Sequence, residues 1–186
     1  PRRLCCCCCL RAPKSGTPRA RLADSELATR IERGRALLDA GQPSAAEAIF
    51  AAAAAEDGDS LRTRMWVLRC WMDQGRNNDT LDALDELSRA GENGADMTYL
   101  YGMAFARRAE GLMADGVTDS SVEMNFQDAT SRLLESAKLD AARYHDAFLP
   151  LAHSAWYVQE LDTARWAADR AVEAEIFATA CVPDEA

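Results

Sequence analysis

An all-α chain of stacked helical hairpins is the fold this sequence predicts, on three observations. Gly41 and Gly75 lie 34 residues apart, and around each the chain repeats an apolar helix-like run, a Gly turn and a second run rich in Ala. A period of that size marks repeated two-helix units. Alanine is abundant and aromatics are few, with five Phe, four Tyr and four Trp in 186 residues, which suits helices packed closely through small side chains. Continuous Val, Ile and Thr runs of strand type are missing.

Residues 1–23 carry Pro13, Gly16, Pro18 and scattered Arg without an apolar period, and read as a disordered, low-complexity, basic and Cys-rich tail. A helical repeat domain is expected over 24–178. Asp24 or Ser25 caps the first helix, which runs through Leu27, Ile31, Ala36 and Leu38 to Gly41. Pro43 then opens a second helix, from Ser44 to about Ala55, with a turn at Asp57-Gly58. The second unit has a helix over Leu61–Asp73, a turn at Gln74-Gly75 and a helix over Thr80–Arg89, closed by Gly91, Asn93 and Gly94. The third opens with Met97 to about Met113 and has a longer loop, Ala114–Ser121. Ser120 and Glu123 there form a capping box for a helix through Phe126, Leu133 and Ala137. That loop reads as a surface insertion, or its flanking helices as a projecting ridge. The fourth runs from Tyr144 to Val158, with Pro150 forcing a start near Leu149 or a kink, and continues from Thr163 to about Ile176. Residues 179–186 read as the start of a truncated further repeat.

Charge narrows the partners. The net charge of −9 divides into +6 over residues 1–35 and −15 over the rest. An acidic body repels phosphate backbones and anionic headgroups, so no nucleic-acid partner is expected. Five of the seven cysteines form the block Cys5–Cys9, with Cys70 and Cys181 far away, which is neither a disulfide framework nor the spacing of a metal site. The favoured reading is a low-complexity or mis-called start of a fragment, since no Met precedes Pro1. A degenerate secretory or lipidated amino terminus is the alternative, with Arg2 and Arg3 before Leu4–Leu10. No transmembrane segment is long enough to span a bilayer, and the expected location is cytoplasmic.

Chemistry is sparse. The chain has no glycine-rich phosphate loop, no His-Glu-x-x-His helix and no G-x-S-x-G elbow, so no catalytic residue, cofactor or metal is assigned. His145 and His153 are eight apart, too far for shared ligation on one helix, and read as surface or groove side chains. Cys70 beside Trp71 reads as a buried, inert thiol. Asn78-Asp79-Thr80 is a glycosylation sequon, but at a helix start the three residues serve as caps.

The repeated places can be compared unit by unit. The first offers Gly34, Leu37, Ala46, Phe50 and Ala53. The second offers Val67, Leu68, Trp71, Leu84 and Leu87, with Thr80 where Ala is usual and Leu68 where Gly is. The third offers Tyr101, Gly102, Phe105, Ala129 and Leu133, ends at Asp140 and has about fifteen extra residues between its halves. The fourth offers Leu151, Ala152, Ala164, Ala168 and the Ala171–Ala174 run. In these places residues 25–176 resemble the tetratricopeptide repeat family.

The resemblance implies an α-solenoid of about four antiparallel helix-turn-helix repeats in a right-handed superhelix, and a non-enzymatic adaptor or scaffold that binds a peptide segment in its concave groove. In that register the first helices present Ile31, Arg35 and Asp39, then Met65, Arg69 and Met72, then Tyr99, Met103 and Arg107, and last Leu149, His153, Trp156 and Tyr157. From these, Arg35, Met65, Arg69, Met72, Tyr99, Met103, Arg107, His153, Trp156 and Tyr157 are the peptide-binding candidates. Guanidinium groups suit a carboxylate-bearing partner, and Met with aromatics suits its apolar side chains. The competing reading pairs the arginines with Asp39, Asp73 or Glu110. Relatives that grip acidic chaperone tails place Lys and Asn where this chain has Ile31 and Arg35, which leaves a looser Arg-based carboxylate site. Two further readings stay open: a self-associating segment that docks through its terminal repeat, burying Trp156, Trp166 and Phe177, and the regulatory part of an enzyme whose catalytic domain lies outside this chain.

Overall fold

The computed structural model describes residues 18–56 and 61–180. Among them the helices pair in chain order and no strand forms. The elements are α1 (Pro18–Asp39), α2 (Pro43–Glu56), α3 (Leu61–Asp73), α4 (Asn77–Arg89), α5 (Ala95–Ala114), α6 (Ser120–Leu139), a 3₁₀ turn at His145–Ala147, α7 (Phe148–Tyr157) and α8 (Leu161–Ala180).

One turn design closes every hairpin. Gly41, Gly75 and Gly116 have φ of 68°, 76° and 79°, a conformation that costs glycine nothing because it has no Cβ. After α1, the Gly41 N–H bonds the Leu38 carbonyl at 2.9 Å and the Gln42 N–H the Leu37 carbonyl at 2.8 Å. After α3, Gly75 and Arg76 repeat this on Met72 and Trp71 at 3.0 and 2.8 Å. The periodic glycines of the sequence are therefore helix terminators in register. In the fourth unit Gln159 occupies the same position at φ 63°.

The small residues act where helices cross. A Cβ on Gly34 would lie 2.5 Å from Phe50 Cζ, and one on Gly102 would lie 2.7 Å from Leu133 Cγ. Glycine thus lets α1 approach α2, and α5 approach α6, until a large residue fills the gap. Leu68 stands midway between these glycines, 34 residues from each. There α3 and α4 touch much less than the other hairpin pairs, since Leu68 and Leu84 are both large and buried. α3 instead packs closely on α2. Two apolar clusters meet in α3. Ile31, Ala46, Phe50 and Cys70 form one, and Leu68, Met72, Leu84, Leu100, Leu133 and Leu151 belong to the larger one.

Several element boundaries differ from the sequence reading. α1 starts at Pro18 and passes through Asp24 and Ser25, so neither caps it, and residues 18–23 are helical. Proline suits a first helical turn, and Ala20, Leu22 and Ala23 are good helix formers. Residues 1–17, including Cys5–Cys9, lie outside the described residues, as does the Asp57-Gly58 turn. α4 starts at Asn77, with no side-chain cap at Arg76. Thr80 is fully buried and its hydroxyl bonds the Arg76 carbonyl at 2.9 Å, so the capping explanation of the sequon fails. α6 is capped by Asp119, whose carboxylate accepts the Ser121 N–H at 2.8 Å, in place of the Ser120–Glu123 box. The fourth unit opens with the 3₁₀ turn, and Pro150 lies in the first turn of α7, where its missing N–H costs no helical bond. α8 continues past Ile176 to Ala180, so residues 179 and 180 belong to it, and 181–186 lie outside the described residues.

The extra length of the third unit lengthens both of its helices to 20 residues. It does not stand free. Ala109, Val122 and Phe126 form a small core of their own, packed by Leu112, Val117, Tyr157 and Val158.

Candidate functional site

Helices α3, α5 and the connection before α7 bring their polar groups to one place. Arg69, half-exposed on α3, gives Nη2 to Asp146 Oδ2 at 2.5 Å. Its Nη1 donates to the Tyr99 hydroxyl at 3.2 Å, and that hydroxyl donates to the same Asp146 oxygen at 2.8 Å. Burial lowers the affinity of Arg69 for its proton, but Tyr99 and Asp146 outweigh burial and the net shift is upward. Burial first, with Asp146 adding to it against Arg69, pushes the Tyr99 hydroxyl well above its ordinary value.

A second cluster of the same composition lies back to back with the first. The Tyr144 hydroxyl donates to Asp96 Oδ1 at 2.6 Å and Arg143 Nη2 to Asp96 Oδ2 at 2.5 Å. The rings of Tyr99 and Tyr144 stack at 5.0 Å. Together the two clusters fasten the 140–147 connection to α3 and α5.

Beyond them a groove runs between α5 and α7, with a volume of about 470 Å³. Met103, Ala106, Arg107 and Glu110 line it from α5, and Leu149, Pro150 and His153 from α7. Arg107 makes no hydrogen bond or ion pair among the described residues. Leu149 is 70% exposed and Trp156, two turns further along α7, 60%. His153 Nδ1 lies 3.3 Å from Glu110 Oε1, and its ring meets the edge of Phe126 at 5.4 Å.

The structure separates the ten candidate residues into four groups. Arg107, His153 and Trp156 reach solvent on or beside the groove, with Met103 forming its floor at 8% exposure. Arg69 and Tyr99 are engaged by Asp146, while Met72 is buried in the core and Met65 packs against it. Arg35 lies apart, exposed, paired with Glu32 at 3.1 Å and 5.5 Å over the Trp66 ring. Tyr157 packs on Phe126 at 4.5 Å, and Trp166 on Phe148 at 5.6 Å, so both rings have internal partners. The arginine partners are Glu32 and Asp146 instead of Asp39 or Asp73, and Glu110 takes a histidine.

Sequence reasoning missed the acceptors. Asp146 and Asp96 have no local signal, since their partners lie 77 and 47–48 residues away. Glu47 was missed as well. It accepts Trp71 Nε1 and Gln74 Nε2 at 2.7 Å each, and these bonds, that of Gln74 foremost, hold its carboxyl below the usual range. Cys70 is fully buried, and that burial pushes its thiol up to about 12, which makes it unreactive at neutral pH. Among the described residues no group of His, Cys, Asp and Glu is arranged to hold a metal ion, and no helix is long and apolar enough to cross a membrane.

A family model for the tetratricopeptide repeat matches residues 37–103, which span the end of α1 through the first half of α5. No curated protein and no solved structure matches the chain.

Proposed function

We propose that this tetratricopeptide repeat protein, whose family serves generally in protein–protein interaction, binds an extended peptide segment in the groove between α5 and α7. One observation carries the reading. The Arg107 guanidinium, unpaired among the described residues, lines the groove with the exposed side chain of Leu149, above a floor of Met103 and Ala106. Leu149 and Trp156, seven residues apart on α7, leave an exposed apolar stripe beside the groove, and a cation next to it fits a carboxylate with a neighbouring apolar side chain. Methionine in the floor adapts to different apolar shapes. The proposed role is that of a non-enzymatic adaptor in the cytoplasm.

The test is a peptide library displayed against the full chain, followed by affinity measurements on Arg107→Ala and Leu149→Ala. Both side chains are exposed, so the Tm is expected to hold while affinity for selected peptides falls about tenfold or more in each variant. Equal affinity in both variants would remove the groove from consideration. Arg69→Ala is a poorer probe, because it also strips Asp146 and Tyr99 of their partner.

A further inference from the structure

We infer that Arg69 and Tyr99 form a carboxylate seat, that Asp146 fills it in the resting chain, and that a carboxylate of the peptide bound in the groove takes its place. The last part rests on the groove reading; the seat itself does not.

The geometry is that of a receptor with its ligand supplied in cis. Two donors, Arg69 Nη2 and the Tyr99 hydroxyl, converge on the single oxygen Asp146 Oδ2 at 2.5 and 2.8 Å. A charge-assisted pair of this kind is what recognises a carboxylate. The donors belong to the continuous helices α3 and α5, whereas the acceptor sits on a 3₁₀ turn of three residues. The turn does not depend on the Asp146 side chain. Ala147 N–H bonds the Tyr144 carbonyl at 3.0 Å, Tyr144 is held by Asp96, and Ala147 and Phe148 are buried. Rotation of one side chain therefore empties the seat while the backbone stays anchored. The side chains of Arg69 and Asp146 are 36% and 29% exposed, so a ligand reaches the seat from their side, with Tyr99 as its buried wall. The neighbouring Asp96 cluster has the opposite polarity: its acceptor is on the rigid helix and its donors are on the connection.

Asp146 lies three residues before Leu149, and Tyr99 one helical turn before Met103, so the seat adjoins the lining of the groove along both chain segments. A tethered carboxylate competes at high effective concentration, so free acids lose to it, and only a ligand that also gains contacts in the groove displaces it. The seat thus admits acidic residues that come with a neighbouring apolar side chain.

Chemical rescue tests the seat in the full chain. Asp146→Ala is expected to lower Tm by about 3–6 °C. Acetate, compared with chloride at equal ionic strength, is expected to restore most of that loss saturably, and to have no such effect on the wild type. Adding Tyr99→Phe to the variant is expected to weaken the restoration. Acetate acting no better than chloride, or restoring the double variant equally well, overturns the seat. If the alanine variant does not fold, Asp146→Asn is titrated with acetate and read from the NMR shifts of the Tyr99 ring. A saturable shift supports the seat, and no shift overturns it. Acetate has no side chain for Leu149 and Met103, so rescue without any peptide binder would sink the groove alone, and peptide binding without rescue would sink the seat alone.

Discussion

A single methyl group on Gly102 tests how α5 and α6 meet. Its Cβ would lie 2.7 and 2.8 Å from the Leu133 side chain and 3.1 Å from the Leu133 backbone nitrogen, so a rotamer change alone does not clear it. Alanine gains about 1 kcal/mol of helix propensity, while overpacking a tight crossing costs about 1–3 kcal/mol. Gly102→Ala is therefore expected to destabilise the chain, read as a lower urea midpoint at unchanged slope. A higher midpoint would mean that the two helices have room to spare. Leu68, in the equivalent place, holds α3 and α4 apart, and α3 draws its packing from α2 instead. At Gly34 the obstacle is a different one, the far end of the Phe50 ring, which stacks on Trp66 at 5.4 Å and has little freedom to move away.

The α5–α6 extension is the element that departs most from the repeat, and Phe126 is its keystone. The ring is fully buried, lies against Tyr157 at 4.5 Å and His153 at 5.4 Å, and so couples the extension to the end of α7. Phe126→Ala is expected to cost about 3–5 kcal/mol. Hydrogen exchange should locate the loss, with faster exchange across 109–126 and 153–158 and no change in α1 and α2. Uniform loss of protection along the chain would mean that the extension has no core of its own. Elements of this kind show what the sequence carries and what it does not. The bounds of α3, the crossings Gly34–Phe50 and Gly102–Leu133 and the glycine turns were legible, because periodicity and left-handed φ are local properties of a few residues. The Asp119 cap was missed by one position, since Asp, Ser and Ser in succession offer equivalent oxygens. The seat was half legible. The resemblance to the repeat family put Arg69, Tyr99 and Arg107 on one face, but which carboxylate would come to meet them depends on how the fourth unit stacks, and no local pattern encodes that.

Across the whole array the tyrosines are unevenly placed: none lies in α1–α4, and Tyr99, Tyr101 and Tyr144 all belong to α5 and the connection before α7. Burial first, then donation to Asp85 and Asp96, pushes Tyr101 and Tyr144 up to about 12, and Tyr99 is raised as well. A phenol whose pKa is higher in the folded state than in the unfolded chain keeps its proton on folding. The stability it contributes is complete below the unfolded value near 10 and is lost as pH rises toward about 12. Stability is therefore expected to fall through that alkaline window, and to fall first where the tyrosines are. The tryptophans report the two halves separately, Trp66 and Trp71 in α3, Trp166 in α8 against Phe148. With each half followed by tryptophan fluorescence in variants that keep only its own reporters, the α8 signal should change at lower pH than the α3 signal, and tyrosinate absorbance should rise with it. The expected order follows from the loose α3–α4 contact, which lets the stack open there without carrying α1–α3 along. Coincident transitions would show that the chain holds together as one cooperative unit despite Leu68.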